Sequence, residues 1–243
     1  MKRIFFHQLG SPRWFFKTTG RWLPWLQAIS GLMLCIGLIW GIAFTPADYL
    51  QGNSYRIIYI HVPVAFLAQS IYVLMALAGV IMLVWRIKIA DMFIASCTPV
   101  GASFTLLALL TGSIWGKPTW GTWWVWDARL TSMLILLFLY LGIMALRSAL
   151  KPKTAAKACS LMVIIGVINI PVIKFSVQWW STLHQGSTLT LTEKPPIAPE
   201  MLWPLLFCIA AFYLFFISVM IARLHNEILA RERRTYWVRQ LFR

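Results

Sequence analysis

Residues 59–85 read YIHVPVAFLAQSIYVLMALAGVIMLVW, from Tyr59 to Trp85, and no Asp, Glu, Lys or Arg interrupts these 27 residues. A helix needs about 20 mostly apolar residues to cross the hydrocarbon layer of a bilayer. The run therefore predicts a membrane-spanning helix. Five more stretches meet that length or come near it: Trp22–Phe44, Phe93–Trp115, Leu130–Leu146, Ala155–Phe175 and Met201–Ala222. Leu130–Leu146 is the shortest, at 17 residues. Lys157 and Lys174 lie near opposite ends of the fifth span, where long side chains can reach the interface. The expected fold class is all-α: a polytopic membrane protein of six transmembrane helices, forming a single membrane domain over residues 1–243.

Composition agrees. Of 243 residues, 60% are hydrophobic and only 12% are charged, against roughly 25% charged in soluble domains. The aromatic content of 15% also excludes a disordered chain. The net charge of +15 would suggest nucleic acid in a soluble protein, but here the basic residues sort by side. Seventeen of the 22 Lys and Arg fall in the N-terminal segment, the second and fourth loops and the C-terminal tail. The positive-inside rule then places both termini in the cytoplasm, and the loops after spans one, three and five outside. No nucleic-acid partner is expected; the basic segments are expected to face lipid headgroups, with a cytosolic partner as the alternative. No cleavable signal peptide is expected, because the first span is long for one and no small-x-small site follows it. Cys35, Cys97, Cys159 and Cys208 lie in apolar runs without metal-ligand spacing and read as small buried hydrophobes. Gly37 and Gly41 form a GxxxG that predicts close helix packing.

The outward face carries the informative residues. Nine of the 14 tryptophans lie near or beyond it, and five of them, Trp115, Trp120, Trp123, Trp124 and Trp126, fall within twelve residues. Asp127 and Arg129 follow. Anchoring at an interface needs one or two Trp per helix end. Residues 115–129 instead predict an outward-facing Trp-rich loop, bent by its Gly and Pro. It suits a large flat apolar ligand; an interfacial re-entrant loop that only anchors is the alternative. Two histidines share this face. His61 precedes the Trp-rich stretch, and His184 follows it in the loop between spans five and six. His7 and His225 fall on the cytoplasmic side among basic residues, where a solvated or lipid-facing position is expected. Imidazole is a common ligand of haem iron, and haem is a flat apolar disc with two carboxylates. One His on each face would hold it without an open coordination position. Arg56, Lys117 and Arg129 are the outward cations for the propionates, Arg129 foremost because Arg pairs bidentately with carboxylates. Asp127 either orients Arg129 or caps the following helix.

The run Trp115-Gly116 … Trp120-Gly121-Thr122-Trp123-Trp124-Val125-Trp126-Asp127-Ala128-Arg129 resembles the "WWD" signature of bacterial haem-handling membrane proteins. With six spans and one outward His on each side, nearly the whole chain resembles the CcmC family of system I cytochrome c maturation. Larger cytochrome c synthetases share the loop but have more spans. The resemblance implies haem b bound at the periplasmic face of the bacterial inner membrane. His61 and His184 would be the axial iron ligands, with the Trp-rich loop against the haem. It also implies delivery to the periplasmic haem chaperone CcmE, which takes haem covalently on its own histidine. The ABC transporter subunits CcmA and CcmB and the small subunit CcmD are the further expected partners. No hydrolytic or redox catalytic arrangement is expected, although promotion of covalent attachment to the chaperone is. The rival readings are a transmembrane haem exporter, a cytochrome b-like electron-transfer subunit and a structural subunit without haem.

Overall fold

The computed structural model describes residues 10–184 and 197–242. His7 lies outside them. A short helix α1 (Pro12–Gly20) is capped by Ser11, whose side chain accepts from the Trp14 N–H. The first span is α2 (Leu23–Ile39), continued by a π-helical turn over Trp40–Phe44. A 3₁₀ turn (Asn53–Ile57) leads into α3 (Ile58–Trp85). Then come α4 (Lys88–Trp120), α5 (Ala128–Ala149), the pair α6 (Pro152–Gly166) and α7 (Asn169–Trp179), and α8 (Pro199–Glu232). A last turn, α9, covers Tyr236–Arg239. No β-strand occurs among the described residues. Among the described residues, six helical segments are long and apolar enough to cross a membrane, and all six coincide with the expected spans.

Several expectations need adjustment. The fourth span is not short: Asp127 caps its start, so the helix gains residues that the hydropathy pattern alone does not show and runs for 22. The fifth span is broken at Val167 and Ile168, between α6 and α7. Pro171 explains the break, because it has no N–H for the carbonyl of Val167 and its ring crowds that carbonyl. His225 is neither solvated nor lipid-facing. It is buried, with Nε2 at 2.6 Å from the Thr19 hydroxyl and its ring at 4.5 Å from that of Phe16. That contact brings α1 against the C-terminal part of α8, so both described ends of the chain lie at one end of the bundle.

The core centres on α3, α4 and α5. Tyr72 and Tyr140 are fully buried and meet edge to face at 5.2 Å. The Tyr140 hydroxyl donates to the Ala68 carbonyl (2.8 Å), and that of Tyr72 to the Met162 carbonyl (3.3 Å). Inside a membrane the lipid is as apolar as the core, so packing and such interhelical bonds hold helices together, at about 0.6 kcal/mol per bond on average. Gly37 and Gly41 do serve packing: Gly37 lies under Phe207 and Cys208, and Gly41 under the ring of Tyr59. Cys97, Cys159 and Cys208 are buried as expected, whereas Cys35 is exposed on α2.

At the end of the bundle where α1 meets α8, Asp91 of α4 is buried and joins two cations. Arg147 of α5 donates to Oδ1 (2.8 Å) and Arg231 of α8 to Oδ2 (2.5 Å). This clasp ties three spans. The opposite end holds Gln51, Trp115, Trp120, Asp127 and His184, which are linked by contacts described next.

Candidate functional site

The Trp-rich stretch divides in two. Helix α4 continues through Pro118 to Trp120, so Trp115 and Trp120 stand on a helix. Gly121 ends it in the left-handed region (φ 77°), which residues with a Cβ avoid. Residues 121–127 are non-helical and carry Trp123, Trp124 and Trp126.

Each of the two histidines meets an indole of α4. The ring of Trp115 lies edge-on to His61 at 5.6 Å, and that of Trp120 lies 5.9 Å from His184. Trp115 is held in turn: its Nε1 donates to Gln51 Oε1 (2.6 Å) and its ring packs against Tyr55 at 5.9 Å. Trp120 folds back over Gly116, where any added Cβ would fall 2.9 Å from the indole. His61 sits over Gly112, whose imagined Cβ would meet its Cε1 at 3.1 Å. His61 Nδ1 is also 3.0 Å from the hydroxyl of the buried Thr111.

Asp127 holds the second histidine indirectly. Its Oδ1 accepts from the Leu130 N–H (2.8 Å), which caps α5. Its Oδ2 accepts from the Thr182 hydroxyl, and Thr182 Oγ1 accepts from the His184 N–H at 3.1 Å. One carboxylate therefore starts a helix and fixes the loop that carries His184. Of the two expected roles for Asp127, the cap is what the structure displays.

These elements enclose a cavity between α3, α4, α5, α7 and α8. It is lined by His61, Val62, Ala65, Phe66 and Gln69 of α3 and by Ala108, Leu109, Gly112, Ser113, Trp115, Thr119 and Trp120 of α4. Trp124, Arg129, Leu130, Met133, Ile173, His184 and Leu205 complete it. The walls are apolar and aromatic. Two buried donors of the lining lack an acceptor among the described residues: Trp124 Nε1 and Arg129 Nη1. Gln69 lies eight residues beyond His61, about 12 Å further along α3 at 1.5 Å per residue.

Of the residues singled out in the sequence, His61, His184, Trp115, Trp120, Trp124 and Arg129 come together here. The others lie elsewhere. Arg56 donates through Nη2 to the Thr45 carbonyl (2.6 Å), and Lys117 through Nζ to the Gly121 carbonyl (3.0 Å), closing the end of α4. Trp123 and Trp126 are 57% and 76% exposed; the ring of Trp126 meets that of Trp124 edge to face at 5.4 Å, outside the cavity. Sequence reading missed Thr111, Thr182 and Gln69. The spacing 61, 62, 65, 66, 69 on α3, matched by 108, 109, 112, 113 on α4, is the helical stripe that could have found the cavity walls.

Among the described residues no group of three or more His, Cys, Asp or Glu is placed to hold a metal ion. Two imidazoles, apolar walls and two donors without a partner among the described residues in one cavity suit a flat group that brings most of its own metal ligands.

A family model described as CcmC, heme exporter protein C, matches residues 5–239. The chain is 50% identical over 236 residues to heme exporter protein C of Escherichia coli, which covers 97% of this chain and 95% of that protein. It is 47% identical to the protein of that name from Haemophilus influenzae, covering 97% and 96%. With that of Bradyrhizobium diazoefficiens the identity is 45%, covering 97% and 89%.

Proposed function

The chain belongs to the heme exporter protein C (CcmC) family, and on that premise we propose that it holds haem b as cargo and passes it to the chaperone CcmE for cytochrome c maturation. In this reading the membrane is the bacterial inner membrane, and the cavity opens at its periplasmic face. The Lys/Arg bias supports that orientation, since by sequence the basic loops and the N- and C-terminal segments fall on the other side.

The observation that carries the reading is a single cavity shared by His61 and His184 with two buried donors that have no acceptor, Trp124 Nε1 and Arg129 Nη1. A buried donor without a partner costs about 1–3 kcal/mol. A cargo carboxylate removes that cost and adds a charge-assisted bond to Arg129. The apolar walls take the disc, and His61 and His184 supply the axial imidazoles. Ligation from both faces leaves iron no open position, which suits holding rather than oxygen chemistry. Trp115 and Trp120 brace the two rings, while Asp127 fixes the approach of His184 through Thr182. The exposed Trp123 and Trp126 offer an apolar surface to the chaperone. The contribution to covalent attachment on CcmE is positioning of the cargo edge, with no acid–base group of this chain engaged. CcmA, CcmB and CcmD complete the assembly in this reading.

Purified full-length protein supplied with ferric haem should give the optical spectrum of low-spin, bis-imidazole iron. His61→Ala and His184→Ala should each shift the Soret band. Unaltered spectra in both variants would overturn the axial assignment.

A further inference from the structure

We propose that Thr111 is a positioning residue: its hydroxyl fixes the tautomer of His61, so that Nδ1 carries the hydrogen and Nε2 is the nitrogen presented to cargo. A threonine hydroxyl has one hydrogen and two lone pairs. Thr111 Oγ1 lies 2.7 Å from the Leu107 carbonyl, one turn back on α4, and 3.3 Å from that of Ala108. A carbonyl only accepts. At 2.7 Å two oxygens without a hydrogen between them repel, whereas that separation is the usual one for O–H···O. The single hydrogen therefore lies on the Leu107 contact. What remains toward His61 is a lone pair, 3.0 Å from Nδ1. Nδ1 can meet it only by donating. A neutral imidazole has one N–H, so Nε2 keeps its lone pair.

The surroundings reinforce the choice. Thr111 is buried, so no bulk water competes for its oxygen. Gly112 gives the ring room, and Trp115 closes one side edge-on. Three neighbouring positions of α4 thus set the place, the tilt and the hydrogen of one imidazole. A ring nitrogen that ligates iron generally has its other nitrogen donating to a fixed acceptor, which orients the ring and raises its basicity. Here that acceptor is a hydroxyl made acceptor-only by its own helix. The identity of the cargo rests on the reading above; the tautomer does not.

The test uses full-length protein with ¹⁵N-labelled histidine, first without haem. In wild type and Thr111→Ser, His61 should show a protonated Nδ1 and an unprotonated Nε2; in Thr111→Val that preference should disappear. Haem titration should then show affinity weakened on the order of 10–100-fold in Thr111→Val, the range for loss of an outer partner of a metal-ligating histidine, and restored in Thr111→Ser. A wild-type His61 that carries its hydrogen on Nε2 overturns the proposal even if the valine variant does not fold. So does a folded valine variant with unchanged nitrogen shifts and affinity. If wild type shows the stated tautomer but binds no haem, the functional reading fails and the tautomer assignment stands.

Discussion

Thr182 gives its hydroxyl hydrogen to Asp127, fifty-five residues away in the chain, and so ties the loop of His184 to the first turn of α5. The two tasks of Asp127 can be separated by mutation. Thr182→Val removes the tie and keeps the cap, so it should leave the melting midpoint near wild type and lower haem retention through purification. Asp127→Ala removes both. It should also destabilise by about 1 kcal/mol, the usual effect of losing an N-cap, read as a lower apparent midpoint in detergent. Equal haem content in Thr182→Val and wild type would show that the loop needs no tie.

Arg129 is expected to recognise a carboxylate. Wild-type protein should prefer haem over its dimethyl ester, and Arg129→Gln should lose most of that preference. A hydrogen bond to a charged group is worth about 1.5–3 kcal/mol, which corresponds to an affinity ratio on the order of 10–100. Undiminished discrimination in the variant would move the carboxylate site elsewhere.

Trp123 and Trp126 are exposed beyond the cavity, whereas Trp124 lines it. Replacing Trp123 and Trp126 together by Ala should therefore reduce capture of CcmE in pull-down while haem content stays near wild type. A parallel loss of haem would place these indoles at the cargo.

Gly112→Ala puts a methyl group 3.1 Å from His61 Cε1. That is tighter than ordinary contact, so the ring must give by a few tenths of an ångström. The expected outcome is an altered Soret band with membrane insertion and yield retained. An unchanged spectrum would mean that the ring has slack on the α4 side.

Asp91→Ala leaves Arg147 and Arg231 without their shared carboxylate. Breaking a buried ion pair costs about 3–5 kcal/mol. Both guanidinium groups are partly exposed here, so about 2 kcal/mol is the better expectation after screening. The melting midpoint should fall, and the haem spectrum should not change, because the clasp lies at the far end of the spans.

The six spans were legible because bilayer thickness demands long apolar runs and this chain has six of them. Of the residues that the excess of aromatics and the outward histidines singled out, His61, His184, Trp115, Trp120 and Trp124 line one cavity, whereas Trp123 and Trp126 do not. Other features depend on which face one helix turns to another, and hydropathy holds no record of that. Thr111 reads as an ordinary residue of an apolar helix until His61 is seen opposite it. Asp91 reads as a loop-side acid until Arg147 and Arg231 converge on it. His225 looked solvated because its sequence neighbours are basic, yet α1 folds over it. The start of α5 could be read from Asp127, but its bond to Thr182 joins two loops that the sequence keeps far apart.

Trp115 and Trp120 stand on one uninterrupted helix, five residues and about 7.5 Å of rise apart, and each rests against a different imidazole. In the proposed reading the two imidazoles that hold the cargo are thus gauged by a single rod, like a caliper with both arms pinned to the same bar. Inserting one residue between the two indoles would swing one arm by about 100° and spoil the grip without touching either histidine.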